Sequence, residues 1–441
     1  MIITRFSPSP TGQLHLGNIR TALINYLFTA KLAGKFLLRI DDTDLKRSKS
    51  QYTEQIIEDL DWLKIKYEEI FKQSNRLDFY AKQKDKLLKQ KKIYVCFESE
   101  EELNIKRKVQ LAQNLPPIYD RSALKLSEVE IAQKIAQGEK PYYRFLLDDE
   151  IVSWQDGVKG VITFKSSAFS DPVVIRADNS PTYTFCSVLD DIAYNITDII
   201  RGEDHISNTA VQIKMFRSLG ASIPNFHHLS LLKTKTGEMS KRLGGFAIRD
   251  LKKQGIDAMS INSLLAKLGT SDNVVPYKKL ANLVETFDIN KFSSGAINYN
   301  EKDLLNLNRK IVNSKNYKEI KQDLAALNIT ISSENFWNSI KDNIVTYLDI
   351  IIWQEILSND FKAKIDNEDK DFLKLAAELL PDLLDADNFK LWIKNLSQQA
   401  NRKGKDLYHP LRIALTNKEN GPELSKIVPL LGYDIVKQRL L

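Results

Sequence analysis

Cysteine is nearly absent from this chain: 441 residues contain two, Cys96 and Cys186. Two thiols build neither a disulfide framework nor a multi-thiolate zinc site, so a reducing compartment is implied. Long apolar runs are missing too. The most apolar late stretch, residues 347–353, is short and contains Asp349, whereas a spanning helix needs about 20 apolar residues. At the N-terminus Arg5 and Pro8 interrupt the apolar start, which leaves no secretory h-region. A cytosolic protein is expected, in which Asn195-Ile-Thr and Asn328-Ile-Thr are chance matches to a glycosylation pattern. Residues 296–403 lack glycine and hold one proline, Pro381. Tight turns depend on those residues, so that third is expected to be helical rather than sheet. No charge dominates: Lys plus Arg number 64 against 57 acidic residues, a net charge of +7. Such an excess permits a polyanionic partner without demanding one.

What is present reads as an ordinary globular chain, 43% hydrophobic and 27% charged, long enough for two to four domains of ~100–200 residues each. Residues 2–6 predict a strand and 7–12 a proline-rich loop. Ile19, Leu23, Tyr26, Leu27 and Ala30 then follow helical spacing until Gly34. Residues 36–40 predict a buried strand, and Ile56, Leu60, Leu63 and Tyr67 a second helix. This alternation is the mark of a parallel α/β sheet, whose ligands bind beyond the strands' carboxyl ends. Lys82, Lys84, Lys86, Lys89, Lys91 and Lys92 crowd together with only Asp85 to offset them; alone, such a run reads as a solvated helix face. Short strands are expected at 142–147, 161–164, 196–200 and 229–232. Helical stripes follow at Phe336, Ile340, Ile344, Tyr347, Leu348 and Ile351, and at Phe372, Leu375, Ala376 and Leu379.

Three features carry chemistry. His15-Leu-Gly-Asn18 stands before a helix, where unpaired N–H groups favour phosphate. Gly17 permits close approach and His15 can donate to a phosphate oxygen, although a plain capping role fits the same residues. The loop from Lys233 to Arg242 brings Lys241 and Arg242, suited to charge developing on a breaking triphosphate; by itself it would be an exposed basic loop. Arg5, Arg201, Asp41, Asp42 and Asp44 all fall at strand ends. Two guanidiniums suit bidentate capture of carboxylates and a carboxylate suits an ammonium, which together describe an acidic amino acid. A metal held by Asp41, Asp42 and Asp44, or a hydrogen-bonded turn at Asp44, fits these acids as well.

The stretches Arg5-Phe-Ser-Pro-Ser-Pro-Thr-Gly12, His15-Leu-Gly-Asn18, Arg39-Ile-Asp-Asp-Thr-Asp44, Pro181-Thr-Tyr183, Arg201-Gly-Glu-Asp204 and Met239-Ser-Lys-Arg242 occur in one order along the chain. In that order the chain resembles the bacterial glutamyl-tRNA synthetases. Two of the stretches look like the HIGH and KMSKS signatures of class I synthetases, and Pro410-Leu-Arg-Ile-Ala-Leu-Thr416 is similar to the family's anticodon-binding domain.

The resemblance implies a multidomain chain: an α/β Rossmann-like parallel-sheet catalytic domain with an α+β insertion, followed by all-α stem-contact and anticodon-binding domains. The implied boundaries are 1–80 and 195–235 for the two catalytic halves, 81–194 for an acceptor-binding insertion, 236–310 for the signature loop and stem-contact helices, and 311–441 for the anticodon-binding domain. ATP with Mg2+ would lie against Thr11, His15, Gly17, His205 and Lys241, with His15, Ser240 and Lys241 catalytic. Glutamate would be held by Arg5, Ser7, Ser9, Asp41, Tyr183 and Arg201. The implied partners are tRNA(Glu), with tRNA(Gln) left open, and a monomer is expected. The pattern is broken in three places. Glu238 stands where the signature loop usually has Lys, Asp41 replaces the more frequent Glu, and Glu98 and Ser122 occupy positions where zinc-binding members carry ligands beside Cys96. No structural zinc and no site metal are expected. A tRNA-binding paralogue without charging activity stays open on the strength of Glu238. A short relative that glutamylates a modified base is disfavoured by the helical domain present here, and a glutaminyl enzyme by Arg201.

Overall fold

The computed structural model describes residues 1–165, 169–234, 247–358, 363 and 365–441. The expected loop residues Glu238, Ser240, Lys241 and Arg242 lie outside them. The chain divides into two compact units: residues 1–250 with 261–300, and residues 251–260 with 301–441. Among the described residues no helix is long and apolar enough to cross a membrane.

The first unit opens with β1 (Ile3–Phe6), α1 (Leu16–Lys31) and β2 (Lys35–Ile40), then α2 (Ser50–Trp62) and β3 (Glu69–Lys72). β1, β2 and β3 pair in parallel, with Arg5 opposite Leu37 and Phe6 opposite Leu38. Gly34 acts by size rather than by backbone sign: α1 has ended, and a Cβ there would stand 2.4 Å from the Ile2 carbonyl oxygen that Lys35 bonds at 2.8 Å. α2 stops at Trp62, short of Leu63 and Tyr67. Lys64 turns left-handed (φ 61°) and the Ile65 N–H closes onto the Leu60 carbonyl. The apolar spacing persists past the end because Leu63 still buries from the cap.

Next come α3 (Leu77–Lys89), β4 (Ile93–Cys96), α4 (Glu100–Ala112), α5 (Glu128–Ala136) and β5 (Tyr142–Phe145). β6 (Val152–Asp156), β7 (Gly160–Phe164) and β8 (Val173–Ile175) follow. β4, β5 and β8 form a separate antiparallel sheet. β6 and β7, although inside residues 81–194, join a second sheet with β9 (Asp198–Gly202) and β10 (Asn225–Leu229), where β6 and β9 flank β10 in parallel. This mixed sheet meets the parallel one at β1, whose Ile3 carbonyl accepts the Thr197 N–H at 2.9 Å. α6 (Tyr183–Ala193) and α7 (Ile206–Leu219) flank β9 in sequence.

The strand expected at 229–232 falls on a break. β10 ends at Leu229, and β11 (Leu232–Thr234) pairs instead with β12 (Ile297–Tyr299). Two of the buried positions of β10 are His227 and His228, which hides that strand from an apolar pattern.

The second unit is helical around one core built on Trp337, Trp392, Phe336, Phe389 and Leu411. The stripe from Phe336 to Ile351 is two helices rather than one, Glu334–Ile340 and Leu348–Ser358. Asp349 accepts the Val345 and Thr346 N–H groups at 2.7 and 2.8 Å, which starts the second helix afresh. Lys315 is buried between Asp257 and Asp323, with the Tyr347 hydroxyl at 2.8 Å.

Candidate active site

The strand ends deliver what the chemistry requires. Arg5, Ser7, Ser9, Thr11, His15, Gly17, Tyr183, Arg201 and His205 all line one cleft of about 500 Å³. Asp41 opens instead onto an adjoining cavity of about 200 Å³, which shares Ser9, Thr11 and Tyr183 with the first.

His15 is the N-cap of α1. Its Nδ1 accepts the Gly17 N–H at 3.0 Å, while its own N–H donates to Asn18 Oδ1 at 3.2 Å. The capping role and an outward role coexist: Nδ1 is an acceptor, so neutral His15 carries its proton on Nε2. Gly17 is required by this geometry, because a Cβ there would stand 2.9 Å from His15 Cε1.

At the Arg5 side of the cleft stands an alternating row of buried charges. Arg5 gives Nε and Nη2 to Asp191 at 3.0 and 3.2 Å, and Arg39 Nη1 reaches the same carboxylate at 2.9 Å. Arg39 then grips Asp41 through Nε and Nη2 at 2.6 and 3.1 Å. Two cations and two anions cancel. Arg201, 5% exposed, stands outside this balance: its partners are the Tyr183 hydroxyl at 3.3 Å and Thr209 Oγ1 and Gln212 Oε1 at 2.6 Å each, all uncharged. Burial lowers its pKa, and Arg5 adds repulsion. The Ser7 hydroxyl is buried with no partner. Among Arg5, Arg39, Arg201, Asp41 and Asp191 one positive charge is in excess, and the unmatched Ser7 hydroxyl lies beside them, which suits a ligand of net charge −1 there.

The geometry amends the bidentate capture expected of both arginines. Arg5 Nε and Nη2 are committed to Asp191, and Arg201 Nη2 to Thr209 and Gln212. Arg5 keeps Nη1 for a ligand, and Arg201 keeps Nη1, bonded only to the Tyr183 hydroxyl at 3.3 Å, together with a buried Nε that has no partner. Of the acids that could also hold a metal, Asp42 accepts from Ser74 N and Oγ at 2.7 Å, and Asp44 accepts from Arg47 Nε at 2.6 Å in the turn that is the other reading for it. Among the described residues no three His, Cys, Asp or Glu side chains gather as a metal site.

Sequence reasoning assigned no role to Arg39, Ser187, Asp190, Asp191, Thr209 or Gln212. The signal was present for the acids: Asp190-Asp191 sits in a helix otherwise rich in Phe185, Cys186, Val188 and Leu189, and buried acids demand partners. Asp190 finds Gln73 at 2.9 Å, Arg76 at 2.8 Å and Tyr80 at 2.9 Å. Elsewhere in this unit, Glu98 accepts from the Tyr119 and Ser122 hydroxyls at 2.6 and 2.9 Å, and Lys106 donates to Ser122 at 2.6 Å and Asp120 at 3.2 Å. Burial lifts the nearby Cys96 thiol to about 12.

Residues 1–309 match the family of class I tRNA synthetases (E and Q), catalytic domain, and residues 335–441 match the anticodon binding domain family. The chain is 47% identical over 441 residues to glutamate–tRNA ligase 2 of Rickettsia canadensis, covering 100% of this chain and 99% of that protein. The same figures hold for glutamate–tRNA ligase 1 of Rickettsia bellii. A crystal structure of a glutamate tRNA ligase from Elizabethkingia meningosepticum, in complex with its amino acid, shares the fold with a TM-score of 0.84 at 24% identity, over 100% of this chain and 98% of that one. With both domain models matched in order and relatives aligned from end to end, the chain belongs to the glutamate–tRNA ligase family of class I aminoacyl-tRNA synthetases.

Proposed function

We infer that this protein joins L-glutamate to tRNA at the expense of ATP. The observation that carries glutamate rather than glutamine is Arg201: a buried guanidinium without a counter-ion is matched by a side-chain carboxylate and left unpaired by a neutral amide. Facing a neutral amide costs the site a few kcal/mol, approximately. In the first step a glutamate α-carboxylate oxygen attacks the α-phosphorus of ATP and pyrophosphate leaves. In the second the terminal ribose hydroxyl of tRNA attacks the activated carbonyl and AMP leaves. No side chain need act as nucleophile; positioning and fixed charge suffice.

In our reading, Arg5, Ser7, Ser9, Tyr183 and Arg201 receive the glutamate and Asp41 its ammonium. Thr11, His15, Gly17 and His205 seat ATP, carried with Mg2+, and Ser240 and Lys241 act on its triphosphate. His15 supports this through a cap geometry that leaves Nε2–H free to donate. Residues in 81–194 would meet the acceptor end, where the lysine run of α3 would follow the RNA backbone, and 311–441 would read the anticodon. We expect no structural zinc. Around Glu98 and Ser122 the cation is Lys106, and Cys96, with its raised thiol, would be the one sulfur ligand. A monomer working in the cytosol fits the composition.

Charging of separately transcribed tRNA(Glu) and tRNA(Gln) with labelled glutamate tests the reading. Attachment to tRNA(Glu) is expected, and none to either tRNA refutes it in favour of a binding-only paralogue. Attachment to both would mark a broader specificity, which the numbered ligases 1 and 2 among the relatives make worth measuring.

A further inference from the structure

We propose that Thr209 is a positioning residue for glutamate specificity: anchored by the buried Asp156–His228 pair, its hydroxyl engages Arg201 Nη2 and leaves the Nη1 edge of that guanidinium for the substrate carboxylate. The proposal rests on the ligase reading above and extends it to residues that do not line the cleft.

The direction of every hydrogen bond follows from one end of the chain of contacts. Asp156 closes β6 and is 1% exposed; its Oδ1 accepts the N–H groups of His228, Val158 and Lys159 at 3.1, 3.0 and 3.0 Å. Its Oδ2 faces His228 Nδ1. Burial pushes this carboxyl up, but the bonds from His228 and the backbone outweigh it and hold Asp156 well below the usual range. An ionised carboxylate only accepts, so His228 Nδ1 must carry a proton. Burial and the charge of Arg201 keep the His228 ring neutral, which makes Nε2 an acceptor. Thr209 Oγ1 lies 2.8 Å from that Nε2 and 3.2 Å from the His205 carbonyl oxygen, and its one proton goes to the nearer acceptor, Nε2. Its lone pairs are then turned to Arg201 Nη2 at 2.6 Å.

Gln212, one turn further along α7, takes the other Nη2 hydrogen through Oε1 at 2.6 Å. With both Nη2 hydrogens engaged, Nη1 is the terminal nitrogen that remains, beside the Tyr183 hydroxyl on the cleft wall. Thr209, Gln212 and His228 are each at most 1% exposed. They are out of a ligand's reach and meet the cleft's side chains through Arg201, the further contact of Thr209 being with the backbone carbonyl of His205 at 3.2 Å.

Thr209→Val keeps the shape and deletes the hydroxyl. Steady-state charging of tRNA(Glu) with labelled glutamate should show KM for glutamate raised about tenfold or more. KM for ATP and kcat should stay within about twofold, because no ATP contact depends on Nη2. The inhibition constant of glutamine as a competitor of glutamate should not change, since a neutral amide gains nothing from the oriented cation. Thr209→Ser should restore the glutamate KM. If the valine protein does not fold, Thr209→Ala, which adds no volume, is held to the same criteria. An unchanged glutamate KM in an enzyme whose wild type charges glutamate overturns the positioning role alone, as does an equal rise in both KM values. A wild-type chain that attaches no glutamate overturns the ligase reading beneath it.

Discussion

Arg201→Gln should separate stability from function. In the free protein the guanidinium is 5% exposed, every partner is uncharged, and burial disfavours its charged form. Exchanging buried ions for neutral groups of similar volume is often neutral or stabilising by about 1–4 kcal/mol. Against this stand hydrogen bonds worth about 1 kcal/mol each, part of which the new amide can remake. The unliganded variant should therefore be as stable as wild type, or up to ~2 kcal/mol more so. Binding moves the other way. A side-chain carboxylate without its cation loses about 3–5 kcal/mol, which is roughly a 100- to 3,000-fold rise in KM for glutamate. Calorimetric melting with and without glutamate reads both effects. At a glutamate concentration 100 times the wild-type Kd, the wild type gains about 2.7 kcal/mol and the variant almost nothing. A variant that melted several degrees below wild type, yet kept the shift induced by glutamate, would refute the claim that this charge awaits its counter-ion in the substrate.

Asp191→Asn leaves Arg5 and Arg39 without their shared carboxylate; a loss of about 3–5 kcal/mol in stability, read as a lower melting temperature, should accompany a raised glutamate KM. An unchanged melting temperature would deny the charge row its structural weight. Burial pushes Asp41 up to about 6 from an ordinary 3.8, with Arg39 only partly opposing it. Its ionised form is lost as pH falls through that value, so KM for glutamate should climb about tenfold from pH 7 to pH 5 while KM for ATP holds. For stability the sign is that ionisation costs the folded state as pH rises from 3.8 towards 6. A flat glutamate profile would assign the ammonium to another acceptor. Lys241→Ala should slow adenylate formation by about 100-fold or more, measured as a single turnover, and an undiminished rate would remove that loop from the mechanism.

The front of the fold was legible because β1, α1 and β2 bury apolar side chains at regular intervals. Legibility failed where burial was polar. β10 carries His227 and His228 inward, so an apolar pattern placed a strand at its tail instead. The stripe through Ile344 and Tyr347 kept helical spacing across a break between two helices, where Asp349 in the first turn of the second accepts the Val345 and Thr346 N–H groups, a contact no periodicity encodes. At the site, the residues named from motifs gather in one cleft, apart from Asp41 and the loop beyond the described residues. What orients them came from far along the chain. Asp191 lies 186 residues from Arg5, and Asp156 lies 72 from His228. Such pairings are set by the sheet's strand order, and local sequence is silent about them.

The cluster around Lys106 behaves unlike the row around Arg39. Lys106 and Asp120 have side chains 36% and 46% exposed, whereas Arg39 and Asp191 are each at 1%. Dissolved ions reach the first pair and are kept from the second, and exposed pairs are the ones that screening weakens. Ionic strength thus divides the first unit: salt screens the Lys106 pair and leaves the buried Arg39 row intact.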